Sequence, residues 1–454
     1  MTKVKTKTAK HQKVHQTSLF DLSNFGNKRV EVQFTTEQIS TDGGLLFLKE
    51  VDKNIGLMDR IVSCLEDGRH QSYVKHDLKS LINQRVMQIA AGYEDANDCN
   101  DLRGDGVLKV CCDKEDSLSA QPTMSWFENS ISNKELYRIS RAFVDQFVSS
   151  YQKPPKAIVL DCDDTNAQTY GDQQLSLFNT YYGGYCFMPL HIYEGFSGRL
   201  ITSILKPGRR SKSLDVSNVL KRLIDHLRKR WPDTLIILRG DGHFCSKEFM
   251  DWAENEEKIG FVTGLAGNQL LHKKACTTIE SAKREFKTYG KPVKRYHSFS
   301  YRAGSWEYHQ RVVAKVEVSE KGTNVRYVVT NMRCIRTKSL YENAYCARGA
   351  AELRIKDHKT YLKSDRMSCN SFKANQFRLF LHSAAYVLIH SLQKEALAAT
   401  DFCRSTMKTI QLKIIKIATR VKILKTKVKI EFPKQFPEKQ LFQNLLLMFG
   451  ILRI

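Results

Sequence analysis

The apolar positions of this chain change period along its length. From Leu45 to about Leu118 they recur at three- and four-residue spacing, as in LLFLKEVDKNIGLMDRIVSCL and HDLKSLINQRVMQIAAGYEDANDCNDLR, which predicts packed amphipathic helices. At Lys156 the texture shifts to short apolar runs. KAIVLDCDDT predicts a strand with carboxylates at one edge, GGYCFMPLHIYEG a second strand, and GRLITSILKPG a strand closed by a Pro-Gly turn. SLDVSNVLKRLIDHLRKRWPD predicts an amphipathic helix, with Ser213 as N-cap and Pro232 past its end. TLIILRGDGHF reads as a buried strand ending in an acid, KEFMDWAENEEKIG as a helix and FVTGLAGN as a strand. Strands alternating with helices predict an α/β core.

Residues 285–332 alternate polar and apolar positions, with turn residues at AGS and EKGTN, and predict an antiparallel β insertion. Helical spacing returns at 339–360 and 373–398, and TRVKILKTKVKIEF alternates like a hairpin. The C-terminal LFQNLLLMFGILRI reads as a short amphipathic end. These shifts divide the chain into a basic arm at 1–30 and a helical domain at 31–150. An α/β domain follows at 151–402, with its β insertion at about 275–335, and then a basic extension at 403–454.

Charge changes the picture more than composition does. The formal net charge is +24, and Arg404 to Lys429 holds nine Lys or Arg and no acid. Such an excess points to a polyanionic partner, most simply nucleic acid. In that setting the helical domain reads either as a DNA-binding module or as a plain packing domain. The 12 cysteines form no C-x-x-C pair, which excludes a zinc ribbon and a disulfide frame and reads as reduced, mostly buried thiols. The N-terminus has no apolar core of a secretory signal, and no run is long enough to span a bilayer. The chain is expected in the cytoplasm, associated with the nucleoid when bound to DNA, with no membrane partner.

Three carboxylate positions carry candidate chemistry. Asp161, Asp163 and Asp164 end the first strand, and alternation turns Asp161 and Asp163 to the same face. Asp241 follows a second buried run. Glu352 lies on a helix whose Tyr345, Arg348 and Lys359 fall with it on one narrow stripe at 100° per residue. Acids at strand ends face the crevice where α/β sheets bind ligands. Converging carboxylates of this kind suit a pair of Mg²⁺ ions clamping an in-line displacement at phosphorus. His243 reads as a structural or DNA-facing residue.

The spacing Y-x2-R-x3-E-x6-K is the signature of a large group of DDE transposases of bacterial insertion sequences. Together with GYEDANDCNDLR, LDCDDT…GDQQ, YYGGYCFMPLHI, RGDGHF, YCARGAAELRIKDHK and FKANQFRLFLHSAAYVL it resembles the insertion sequence family 1380 transposases, from about residue 25 to beyond 420. The resemblance implies a ribonuclease-H-like catalytic domain with the β insertion between the second Asp and the Glu. It implies Asp163, Asp241 and Glu352 as the catalytic and metal-binding triad. Asp161, in the same motif, either assists or is the true first ligand. It also implies Tyr345, Arg348, Lys356 and Lys359 as DNA contacts, and two Mg²⁺ ions for which Mn²⁺ can substitute. The implied partners are double-stranded transposon ends and target DNA, handled by a homodimer in a synaptic complex.

Two other readings stay open at this level. VLDCDDT also fits the first motif of a haloacid-dehalogenase-type phosphatase, with Asp161 as nucleophile and Asp163 as general acid, although GDGHFCS lacks that family's second downstream acid. A transposase-derived DNA-binding protein that has lost catalysis would share every basic feature.

Overall fold

In chain order the strands are β1 (Gln38–Ser40), β2 (Ala157–Asp164), β3 (Ala167–Gln168), β4 (Leu177–Asn179), β5 (Gly184–Phe187), β6 (Leu190–Glu194), β7 (Leu200–Ile204), β8 (Leu235–Gly240), β9 (Ile259–Leu265), β10 (Val293–Tyr301), β11 (Gln310–Ser319), β12 (Gly322–Thr330), β13 (Thr419–Ile423) and β14 (Val428–Glu431). The computed structural model describes residues 28, 30, 38–209 and 216–451. The basic arm at 1–30 thus lies outside the described residues except for Lys28 and Val30, and so does Ser213.

Eight strands form one mixed sheet in the order β10-β11-β12-β9-β8-β2-β6-β7. β2, β8 and β9 are parallel neighbours, and every other pair is antiparallel. The first four residues of β2 and of β8 are apolar because both faces of the sheet are covered there. One face packs on helices Val216–Arg230 and Lys247–Asn255 through Leu220, Leu223, Leu227, Phe249 and Met250. On the other face Val262, Val313 and Val328 meet Leu340 and Tyr341. The inserted strands β10–β12 extend the main sheet, because β12 pairs with β9.

GGYCFMPLHIYEG, expected as one strand, is two. β5 belongs to a separate three-stranded sheet with β3 and β4, and β6 belongs to the main sheet. Pro189 stands between them and has no N–H to give to a ladder, so the run breaks there.

The helices from both ends of the chain share one core. Leu45, Phe47, Leu81, Val86 and Phe143 pack in one cluster with Phe377, Phe380 and Leu388 of helix Phe372–Ser391 and with Ile410, Ile414 and Phe442 of the tail. Helix Asn133–Ser149 begins with a capping box, Ser132 with Glu135, and helix Leu78–Ala91 runs from the Asp77 cap to Gly92 at φ +93°. The tail's alternating stretch does form a hairpin, β13–β14, which β1 extends. Among the described residues no helix is long and apolar enough to cross a membrane. All the cysteines are free thiols, but only six are buried and Cys276, Cys334 and Cys346 are exposed.

A buried polar seam lies beside β6 and the helical run that follows β12. His191 and His358 have ring centroids 4.6 Å apart, and Tyr193 Oη is 3.1 Å from His358 Nδ1. Burial holds the His191 imidazole down to about 3, against 6.5 for a free imidazole. Between those values the unfolded chain takes up a proton that the folded chain refuses, so His191 contributes stability above pH 6.5 that is lost as pH falls toward 3. We expect His191→Asn to remove roughly 2–3 kcal/mol of the acid-induced loss between pH 6.5 and 4. Denaturant unfolding at the two pH values measures it, and an unchanged difference would show that His191 does not set that slope.

Candidate active site

The first two acids are set side by side by strand register. β2 and β8 oppose Leu160 to Leu238 and Asp161 to Arg239. Carried two residues further, the same register brings Asp163 alongside Asp241, which directly follows β8, and parallel neighbours lie only about 4.8 Å apart. Both acids therefore stand at the carboxyl ends of adjacent parallel strands, where open α/β sheets hold ligands. Asp241 caps the short turn Gly242–Phe244: Oδ1 accepts the His243 N–H at 2.8 Å, and Oδ2 lies 3.2 Å from His243 Nδ1. His243 itself is exposed.

The third acid arrives on the helical run 337–361. This run is not the single α-helix that the stripe predicts. π-turns at Leu340–Tyr345 and Asp357–Tyr361, and a 3₁₀ turn at Cys346–Arg348, flank the α-helix Gly349–Lys356. Tyr341 is fixed in the apolar core at one end and His358 in the buried seam at the other, and the irregular turns reconcile both anchors. The stripe still faces one way. Arg348 Nη1 is 3.2 Å from Asp163 Oδ2, and its Nη2 is 3.4 Å from Glu352 Oε1. Lys359 Nζ donates to Asn166 Oδ1 at 2.8 Å and lies 3.4 Å from Thr165 Oγ1. A Cβ built on Gly264 would lie 2.9 Å from Tyr345 Oη and 3.0 Å from the Gly242 nitrogen, so the phenol rests against the ends of β8 and β9. Lys356 is exposed on the same run. A polar cavity of about 440 Å³ opens beside Lys359 and Asn166, with Gln173 and Arg366 also in its wall.

Asp161 and Asp163 share a face, as alternation requires, but their environments differ. Asp161 is 0 % exposed. Arg239 grips both its oxygens, with Nη2 at 2.8 Å from Oδ2, and Arg354 Nη1 approaches to 3.4 Å. The same arginines tie down the surrounding backbone, Arg239 at the Ala344 carbonyl (2.7 Å) and Arg354 at that of Gly195 (2.9 Å). Asp161 thus braces β8 and the stripe from beneath, with no open approach for a substrate. Neither arginine stood out in the sequence, although Arg239 precedes Asp241 by the two-residue step of strand alternation.

Asp163 is half-buried, and its carboxyl is pushed up to about 6. Burial is the main cause; Arg348 opposes it, while the charges of Asp241, Asp164 and Glu352 add to it. Four acids within electrostatic reach of one another are costly without a cation. Arg348 and Lys206 supply positive charge here, Lys206 at 2.6 Å from Asp164 Oδ2. Asp164 Oδ1 is buried and has no hydrogen-bond partner. Among the described residues no three His, Cys, Asp or Glu side chains stand close enough to hold a metal ion as they are, because Arg348 spans the gap between Asp163 and Glu352. The groups gathered around Asp163 are nonetheless hard carboxylate oxygens whose mutual charge raises its carboxyl, and they fit a hard divalent cation.

Paired carboxylates at the ends of parallel strands, with a third from a helix that also carries Arg, Lys and Tyr, make an arrangement suited to phosphoryl chemistry. The profile of the family described as Transposase DDE domain group 1 matches residues 22–452, and the chain belongs to that family of DDE transposases. No curated protein matches the chain. Among solved structures, the chain is similar to that described as the cryo-EM structure of a piggyBac transposase synaptic complex with hairpin DNA. The two share 11 % identity over 84 % of this chain and 83 % of that one, with a TM-score of 0.46.

Proposed function

We propose that the protein is the transposase of a bacterial insertion sequence of family 1380. In this reading it binds the terminal inverted repeats, cleaves DNA at the element ends and joins the freed 3′-hydroxyl to target DNA. One observation carries the reading: strand register sets Asp163 beside Asp241, and Arg348 ties Glu352 to the same point. The strand order β7-β6-β2-β8-β9, antiparallel then parallel, supports a ribonuclease-H-like core spanning 151–402 with β10–β12 as its insertion. The net charge of +24 supports duplex DNA as partner, gripped by the helices before residue 150 and by the basic tail. A homodimer holding two ends, working in the cytoplasm, completes the proposal.

Asp163, Asp241 and Glu352 would hold the divalent ions, with Asp164 next to them. When bound, Mg²⁺ or Mn²⁺ supplies charge neutralisation at the attacking and leaving oxygens. The chain's own groups do the positioning. Arg348, released from its two carboxylates, meets the phosphate with a planar fork that can bond two oxygens. Lys359, held by Asn166, and the Tyr345 hydroxyl fix the strand on either side of it. Asp161 cannot be the nucleophile of a phosphatase, since it is fully buried between two guanidiniums.

The test is incubation with Mg²⁺ and labelled DNA carrying the sequences that flank the gene. End-specific nicks with 3′-hydroxyl termini, absent when EDTA is present, are expected. Binding without cutting would identify a protein that has lost catalysis, and release of phosphate from a small monoester without DNA would identify a phosphatase.

A further inference from the structure

The small sheet β3-β5-β4 rises directly after the first-aspartate strand, as a flap of which the sequence pattern announced only β5. Its turn is built rather than slack. Asn179 Oδ1 accepts the Tyr181 N–H at 3.0 Å, Asn179 Nδ2 donates to the Gly208 carbonyl at 2.7 Å, and Gly183 takes the left-handed φ of +65° that the turn requires. The flap's base is tied to the loop after the stripe: Gln174 N–H donates to the Asn370 carbonyl at 2.9 Å, and Gln173 Nε2 to that of Cys369 at 3.1 Å.

This rigid mount displays aromatic rings to solvent. Tyr181 is 86 % exposed and meets Tyr182 edge-on at 4.8 Å, with Phe178 and Tyr185 paired at 5.6 Å beside them. Arg209 donates to the Phe178 carbonyl at 2.9 Å, placing a cation at the patch's edge. Tyr182 lies within reach of the charges of Asp163 and Asp164. A contiguous apolar patch held out by a braced turn marks a binding surface. Rings with a cation at their edge match single-stranded nucleic acid, whose bases stack on aromatic faces while its phosphates meet positive charge.

We propose that Tyr181 and Tyr182 form a stacking platform for unpaired bases of the DNA strand entering the active site. The proposal rests on the DNA-transposase reading. Unstacked bases lose their neighbours' faces, and the rings replace them, so opening the duplex beside the carboxylates becomes less costly.

Fluorescence anisotropy with two probes tests it: a fully paired duplex, and a duplex of equal length ending in a fork of unpaired thymidines. Wild-type protein is expected to bind the fork more tightly. Tyr181→Ala/Tyr182→Ala should weaken fork binding roughly ten- to hundred-fold, leave duplex binding unchanged, and be rescued by Tyr181→Phe/Tyr182→Phe. If the wild type binds neither probe, the DNA reading falls and takes the platform with it. If it binds both and the alanine variant weakens both equally, or neither, the platform alone is overturned. The platform is also overturned if the alanine variant shifts the sedimenting mass while fork binding holds, because the rings would then face a second copy of the chain.

Discussion

Asp163→Asn is expected to cut the rate of DNA-end cleavage on the order of a thousand-fold while raising the melting temperature in metal-free buffer. The two effects have one cause. Burial and the neighbouring acids push the Asp163 carboxyl from 3.8 to about 6, so holding it ionised at neutral pH costs about 3 kcal/mol. Asparagine keeps the shape and removes that charge, which relieves the fold. It would also remove a ligand of the proposed divalent ion, and it removes a partner of Arg348. Parallel cleavage assays and thermal melts measure both. A variant that loses activity and melts lower would identify Asp163 as a bracing residue like Asp161.

Glu128→Ala is expected to cost about 3–5 kcal/mol, a large part of the stability of an ordinary domain. Glu128 is buried and stands between two buried arginines. Arg85 Nε lies 2.8 Å from Oε1, and Arg378 Nη1 lies 3.4 Å from Oε2. The arginines belong to helices Leu78–Ala91 and Phe372–Ser391, so one carboxylate fastens together two helices far apart in the chain. Both also bind the carbonyl of Glu94. Removing the acid leaves two guanidinium charges facing each other away from water. Denaturant unfolding reads the loss. A loss under about 1 kcal/mol would show that the arginines find other partners without strain.

Local chemistry made much of this molecule legible in the sequence. Apolar runs ending in acid are strands because a buried strand needs apolar faces and its end meets solvent, as at Asp163 and Asp241. Alternation over β10–β12 and the stripe through Tyr345, Arg348, Glu352 and Lys359 were readable for the same reason. What was not legible depends on partners far along the chain. Asp161 and Asp163 differ because Arg239, 78 residues on, and Arg354, 193 residues on, close over the first and leave the second open. The shared core of the terminal helices, and the Arg85–Glu128–Arg378 group within it, are likewise set by contacts that no local period records. Of the flap only β5 was legible, as part of a longer run, because β3 and β4 are two and three residues long, too short to establish a period.

Asp163, Asp241 and Glu352 are proposed to act together as one cation-binding centre. Electron paramagnetic resonance of Mn²⁺ titrated into the DNA-bound protein tests it most directly. Tight Mn²⁺ binding in the wild type is expected to be lost separately in Asp163→Asn, Asp241→Asn and Glu352→Gln, each still folded and still bound to DNA. Undiminished Mn²⁺ binding in Glu352→Gln would contradict it, because the helix would then contribute no ligand and the three acids would not form one site.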